Sequence, residues 1–110
     1  MPSQNARVLR HIVLFAFKPE ATPSEIASVE EAFAALPKQI PEIIDFEWGT
    51  DVSIEGRAQG FTHCFLVTFA DEAGREVYLP HPAHQAFVAL VSQHREKGLV
   101  IDYWARATAG

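Results

Sequence analysis

The spacing of hydrophobic and polar residues divides the chain into short strands and two longer helices. Val8 to Phe17 is rich in β-branched and aromatic residues and is apolar on both faces from Ile12 onward, which predicts a strand covered on both sides. Such a strand needs a helix layer on one face and a second cover, such as another sheet, on the other. Thr22-Pro23-Ser24-Glu25 is a helix start. Thr22 is the expected cap, Pro23 takes the first position, and Glu25 completes a capping box. Ile26, Val29, Phe33, Leu36 and Ile40 then recur at helical spacing, and the helix is expected to stop between Pro37 and Pro41. Ile43 to Val52 alternates, with Ile44, Phe46, Trp48 and Thr50 on one face and Asp45, Glu47, Gly49 and Asp51 on the other. That pattern predicts a half-solvated antiparallel strand.

Ser53 to Gly60 reads as a loop that turns the chain back, and Phe61 to Phe69 as a strand buried on both sides. Asp71 to Tyr78 is a short helix weakened by Gly74. The second main helix is expected from Pro82 to about Arg95, with Gly98 as its stop and Arg95 and Lys97 near its negative end. Leu99 to Ala105 closes the set as a strand with Leu99, Ile101 and Tyr103 on one face. The resulting β-α-β-β-α-β order is a ferredoxin-like α+β protomer with an antiparallel sheet. Its first and third strands are expected side by side in the sheet centre, here read as parallel. On that reading His11 and His63 become neighbours at one end of the sheet.

Composition narrows the function classes. With 110 residues the chain is one domain, and a partner subunit would add useful burial. Nine Lys and Arg against fourteen Asp and Glu give a net charge of −5, without the basic block of a phosphate-backbone binder, so no nucleic acid is expected. The apolar run Ile12 to Phe17 is too short for a membrane span or a signal peptide. The lone Cys64 forms no internal disulfide and suits a reducing compartment, so the cytoplasm is the expected location. The expected domain covers residues 9–106, between a flexible lead of residues 1–8 and a tail of residues 107–110.

The chemistry concentrates in Tyr78-Leu79-Pro80-His81-Pro82-Ala83-His84-Gln85-Ala86-Phe87. Pro82 can start a helix and place His84 in its first turn, with Tyr78 held behind a stiffened loop. A phenol beside an imidazole suits general acid–base work. The plainer reading makes the histidines exposed caps at a helix start. A metal site on His81 and His84 with His63 or His11 is the weaker alternative, because a pair spaced i, i+3 across a proline is poorly aimed and the motif holds no carboxylate. No metal and no cofactor are therefore expected. Cys64 reads as a buried inert thiol, His94 as a surface residue, and Glu30-Glu31 as a solvated helix face. Trp48 on its half-exposed strand reads as a subunit-contact anchor.

Arg10 to Lys18 (RHIVLFAFK), Gly60 to Phe69 (GFTHCFLVTF) and Tyr78 to Phe87 (YLPHPAHQAF) together resemble the stress-responsive dimeric α/β-barrel family, the Dabb domain. The resemblance spans about residues 10 to 105, and HPAH is its most specific part. It implies ferredoxin-like protomers whose sheets pair to close a barrel, as a homodimer. The family includes stress-induced plant proteins and a plant polyketide cyclase, and the resemblance to that cyclase implies His84 as general base and Tyr78 as the group that orients or polarises the substrate. It further implies that His11 and His63 line the cavity. Phe33 would stand at a pocket-lining aromatic position, and His81 joins it among the candidate substrate-binding residues. Phe15, Phe65, Leu90 and Trp48 would add apolar walls. The chain departs from the family at Pro80, which replaces an aliphatic residue, and at Cys64, where an aliphatic is usual. The implied activity is a cofactor-free cyclase or lyase acting on a small aromatic or polyketide-like ligand. The alternative is a non-catalytic stress-response protein whose stable dimer is the functional object.

Overall fold

The capping box that opens the first helix is formed in the computed structural model, which describes residues 7–106. The Thr22 hydroxyl accepts from the Glu25 amide at 3.2 Å, and the Glu25 carboxylate accepts from the Thr22 amide at 2.9 Å. The elements in chain order are β1 (Leu9–Phe17), α1 (Pro23–Gln39), β2 (Ile43–Thr50), β3 (His63–Phe69), α2 (Glu72–Tyr78), α3 (Pro82–Ser92) and β4 (Arg95–Trp104). Residues 1–6 of the expected flexible lead and the whole of the expected tail lie outside the described residues.

The four strands form one sheet in the order β2-β3-β1-β4, and every neighbouring pair is antiparallel. The parallel reading of β1 and β3 is therefore corrected. The α1 crossover returns the chain in the direction of β1, and the following reversal sends β3 back between β1 and β2, opposed to both. The register sets His11 across from Val67 and Phe15 across from His63. His11 and His63 thus stand toward opposite ends of the ladder.

A second correction concerns Gly98. The chain leaves α3 through Gln93 and His94, where the His94 amide donates to the Val91 carbonyl at 3.0 Å, and β4 begins at once with Arg95. A bond from the Lys18 amide to the His94 carbonyl, 2.8 Å, fixes that entry. No glycine is needed to end the helix, and Gly98 lies inside β4 opposite Phe15.

One face of the sheet is packed and the other is open. Leu9, Val13, Phe15, Phe65, Val67 and Phe69 meet Val29, Phe33 and Leu36 of α1 and Phe87 and Val91 of α3 in a single core. Phe33 stacks on Phe65 with ring centroids 4.3 Å apart and meets Phe87 at 4.5 Å. On the opposite face, Leu99, Ile101 and Tyr103 remain 43%, 50% and 43% exposed in the protomer. Cys64 lies exposed on this same side, so the thiol is not buried as its mid-strand position suggested. Trp48 faces the other way. It sits on the helix side, stacked on Phe65 at 5.4 Å and on His63 at 6.0 Å.

Candidate active site

The segment that carries Tyr78 and His84 is held by a succession of local bonds. Asp71 caps α2 through the Gly74 amide, 3.2 Å. Gly74 lies close over Phe69, where an added Cβ would stand 3.4 Å from that of the phenylalanine, so α2 approaches β3 closely. Tyr78, in the last turn, is driven into the core at 1% exposure and packs on Phe69 at 5.1 Å and edge-on to His11 at 5.6 Å. Three residues beyond, His81 becomes the cap of α3: its Nδ1 accepts from the Ala83 amide at 3.0 Å, and Pro82 occupies the first turn. This places His84 with its ring centroid 4.3 Å from that of Tyr78. The His84 Nδ1 is 2.9 Å from the Leu79 carbonyl, an acceptor only, so it carries the proton and leaves Nε2 as the ring's acceptor in the neutral form.

Tyr78 and His84 line one cavity of about 320 Å³, together with His11, Phe33, Arg95 and Asp102 and with apolar walls from Val13, Phe15, Phe87 and Val100. Of the residues expected at the site, His84, Tyr78, His11 and Phe33 are brought together. His63 and His81 are not. His63 lies toward the other end of the antiparallel ladder, 2.7 Å from Glu30 Oε2 and 2.8 Å from the Thr62 hydroxyl, while His81 is engaged in its cap. Glu30 is accordingly the partner of a buried histidine rather than part of a purely solvated face. His94 likewise is half-buried, 3.8 Å from Glu25. Among the expected apolar walls, Phe15 lines the cavity, whereas Phe65, Leu90 and Trp48 do not. A wider hollow of about 520 Å³ lies between the loop before β3 and the open sheet face, with His63 and Cys64 at its wall, away from Tyr78 and His84.

Two charged residues behind the site escaped the sequence reading. Asp102 Oδ1 is 2.7 Å from the His11 Nδ1, and its Oδ2 accepts from Arg75 at 2.8 Å. The signal was present in β4, where Asp102 lies between Val100 and Trp104 on the strand face opposite Leu99, Ile101 and Tyr103. A carboxylate at that position needs a partner across the ladder, and the register supplies His11. Arg95, expected beside the negative end of α3, lines the cavity wall as well.

The environment moves the two reactive groups in opposite directions. Burial lowers the His84 pKa, against the Leu79 bond that raises it, and the neighbouring His11 and His81 lower it further. Burial raises the Tyr78 phenol well above its ordinary value, and the charge of Asp102 adds to the effect. At neutral pH the pair is thus a neutral imidazole beside a protonated phenol, a proton acceptor beside a hydrogen-bond donor. Among the described residues no group of three or more His, Cys, Asp and Glu is placed to hold a metal ion.

Comparison with known proteins bears on this arrangement. The chain is 38% identical over 95 residues to the stress-response A/B barrel domain-containing protein HS1 of Arabidopsis thaliana, covering 86% of this chain and 87% of the relative. It is 32% identical over 98 residues to olivetolic acid cyclase of Cannabis sativa, covering 89% and 97%. Among solved structures, hydroxynitrile lyase from Passiflora edulis superposes with a TM-score of 0.88 at 28% identity, covering 96% of this chain and 99% of the lyase. A dimeric ferredoxin-like protein of unknown function from Jannaschia matches with a TM-score of 0.75 at 26% identity, covering 87% and 97%. The family model for the stress responsive A/B barrel domain matches residues 9–105, and the chain belongs to that family.

Proposed function

We propose that the protein binds a small aromatic or polyketide-like carbonyl compound in the cavity under α2 and α3 and acts on it by cofactor-free acid–base chemistry, in a cyclisation or lyase step. One observation carries the reading: Tyr78 and His84 share a single cavity with pKa values displaced in opposite directions. In the cyclisation case, His84 Nε2 takes the proton from a carbon next to a carbonyl, and the electron pair moves onto that carbonyl oxygen. Tyr78 donates a hydrogen bond to the oxygen as its charge grows. The enolate carbon then attacks a second carbonyl of the same molecule, and the imidazolium returns its proton to the new alkoxide. A relative named as a cyclase and a structural neighbour named as a lyase support acid–base work on this scaffold.

The working unit in this reading is a homodimer. The uncovered apolar face of Leu99, Ile101 and Tyr103 would be buried by a second copy of the chain, and a structural neighbour is described as dimeric. The exposed, unpaired Cys64 thiol suits a reducing compartment such as the cytoplasm. The stress-response name of the Arabidopsis relative favours a second reading, in which the dimer itself is the function and nothing is turned over.

Isothermal titration with 2,4-dihydroxybenzoate separates the two. The proposal expects saturable binding to the wild type, weakened by His84→Ala; negligible binding to both proteins would leave the non-catalytic reading. Once a substrate is found, His84→Ala should lower turnover on the order of 10²–10⁴-fold.

A further inference from the structure

The cavity runs along β1 from His11 to Phe15, a span of about 13 Å at about 3.3 Å per strand residue. Its two ends differ in how their charges are paired. At one end the Asp102 carboxylate backs His11, beside Tyr78 and His84. At the other, β4 contributes Arg95, opposite Phe17 in the register. The stem of Arg95 runs over Gly98: a Cβ added there would stand 3.3 Å from the Arg95 Cδ and 3.6 Å from Phe15 Cδ1. The missing side chain at Gly98 leaves room for the Arg95 stem, and Arg95 is among the residues that line the cavity. Among the described residues no carboxylate lies within 4.0 Å of it, and its hydrogen bond to the Ser92 hydroxyl is long, at 3.4 Å. Arg75, the other guanidinium nearby, is engaged by Asp102. Arg95 is thus a cation without a carboxylate partner among the described residues, on the wall of a cavity whose middle is Val13, Phe15, Phe33, Phe87, Val91 and Val100.

We infer that Arg95 is a substrate-anchoring residue, and that the ligand is a carboxylate with an apolar body, its anion held by Arg95 and its reacting carbonyl at Tyr78 and His84. The guanidinium fork matches a carboxylate in two parallel hydrogen bonds. At the opposite end Asp102 already holds Arg75 and His11, so no unpaired cation competes there for the anion and Arg95 sets which way the ligand enters. A cavity of about 320 Å³ has room for an acid of modest size. This inference rests on the reading of the cavity as a binding site and adds the class of molecule it selects.

Titration calorimetry with octanoate and its neutral isostere octanamide tests it, against wild type, Arg95→Gln, Arg95→Lys and Gly98→Ala. The wild type should prefer octanoate on the order of tenfold, in keeping with one charge-assisted hydrogen-bonded pair. Arg95→Gln should erase the preference by lowering octanoate affinity more than octanamide affinity, and an unchanged circular-dichroism melt shows that the variant is folded. Arg95→Lys should keep part of the preference, and Gly98→Ala should reduce it by displacing the arginine stem. Equal affinities in the wild type, or a preference that survives Arg95→Gln, would overturn the role of Arg95 and leave the cavity as a binding site. Failure of both probes to bind any variant would overturn this inference and the cavity reading together.

Discussion

A hydrogen bond of 2.9 Å joins the His84 imidazole to the Leu79 carbonyl and fixes the proton on Nδ1. The bond turns a mobile side chain at a helix start into an oriented acceptor. It also favours the protonated ring, so the depression of the His84 pKa means that burial prevails. The NMR titration of the His84 ring should therefore show a midpoint below the ordinary 6.5. A midpoint at or above that value would count against the neutral-base role.

The same shift predicts how stability depends on pH. Between the folded pKa and 6.5 the unfolded chain binds the proton more readily, so the stability linked to His84 is present above about 6.5 and is lost as pH falls through the folded value. Urea denaturation across that window should show a slope that His84→Ala reduces. An identical slope in the variant would place the titrating group elsewhere.

Asp102→Asn removes one of the two causes that raise the Tyr78 pKa. Spectrophotometric titration in a Tyr103→Phe background should find the phenol still raised by burial, yet titrating at lower pH than with Asp102 in place. The substitution also weakens the links of Asp102 to His11 and Arg75, at a cost of about 1–3 kcal/mol in unfolding free energy. An unmoved Tyr78 titration would show that the charge of Asp102 does not reach the hydroxyl.

Phe33 stands between the core and the cavity, stacked on Phe65 and packed on Phe87. Truncation to alanine should cost about 3–5 kcal/mol. Phe33→Leu, which keeps most of the volume, should cost less and still widen the cavity. Chemical denaturation reads the first effect and octanamide affinity the second.

The open face makes a contrasting pair of substitutions. Ile101→Asp puts a charge at the centre of the proposed dimer surface and should halve the mass measured by light scattering at low concentration. Trp48→Ala should leave the mass unchanged and lower thermal stability, because that indole stacks on His63 and Phe65 on the helix side. The sequence suggested the reverse for Trp48, since alternation separates two faces without saying which one is covered.

Local features of the fold were readable in the sequence and strand direction was not. Thr22, Pro23 and Glu25 announced a helix start that needs only neighbouring atoms, and the stripe Val29, Phe33, Leu36 announced its buried side. Pro82 likewise placed His84 in a first turn, and Tyr78 and His84 met as expected. The relation between His11 and His63 depended on how β3 enters the sheet, which no local pattern encodes. Gly98 misled because glycine both ends helices and clears space in strands, and only the ladder opposite Phe15 decides between the two. Asp102 and Arg75 went unread because their partners lie on other elements, 91 residues away for His11 and Asp102 and 27 for Arg75 and Asp102.

The antiparallel ladder has a further consequence for the histidines. With His11 opposite Val67 and Phe15 opposite His63, the sheet carries an imidazole–carboxylate pair toward each end, His11 with Asp102 and His63 with Glu30, with aromatic rings between them. The His63–Glu30 pair ties α1 to β3 without entering the cavity that holds Tyr78 and His84, so the fold has a polar clasp separate from its candidate site.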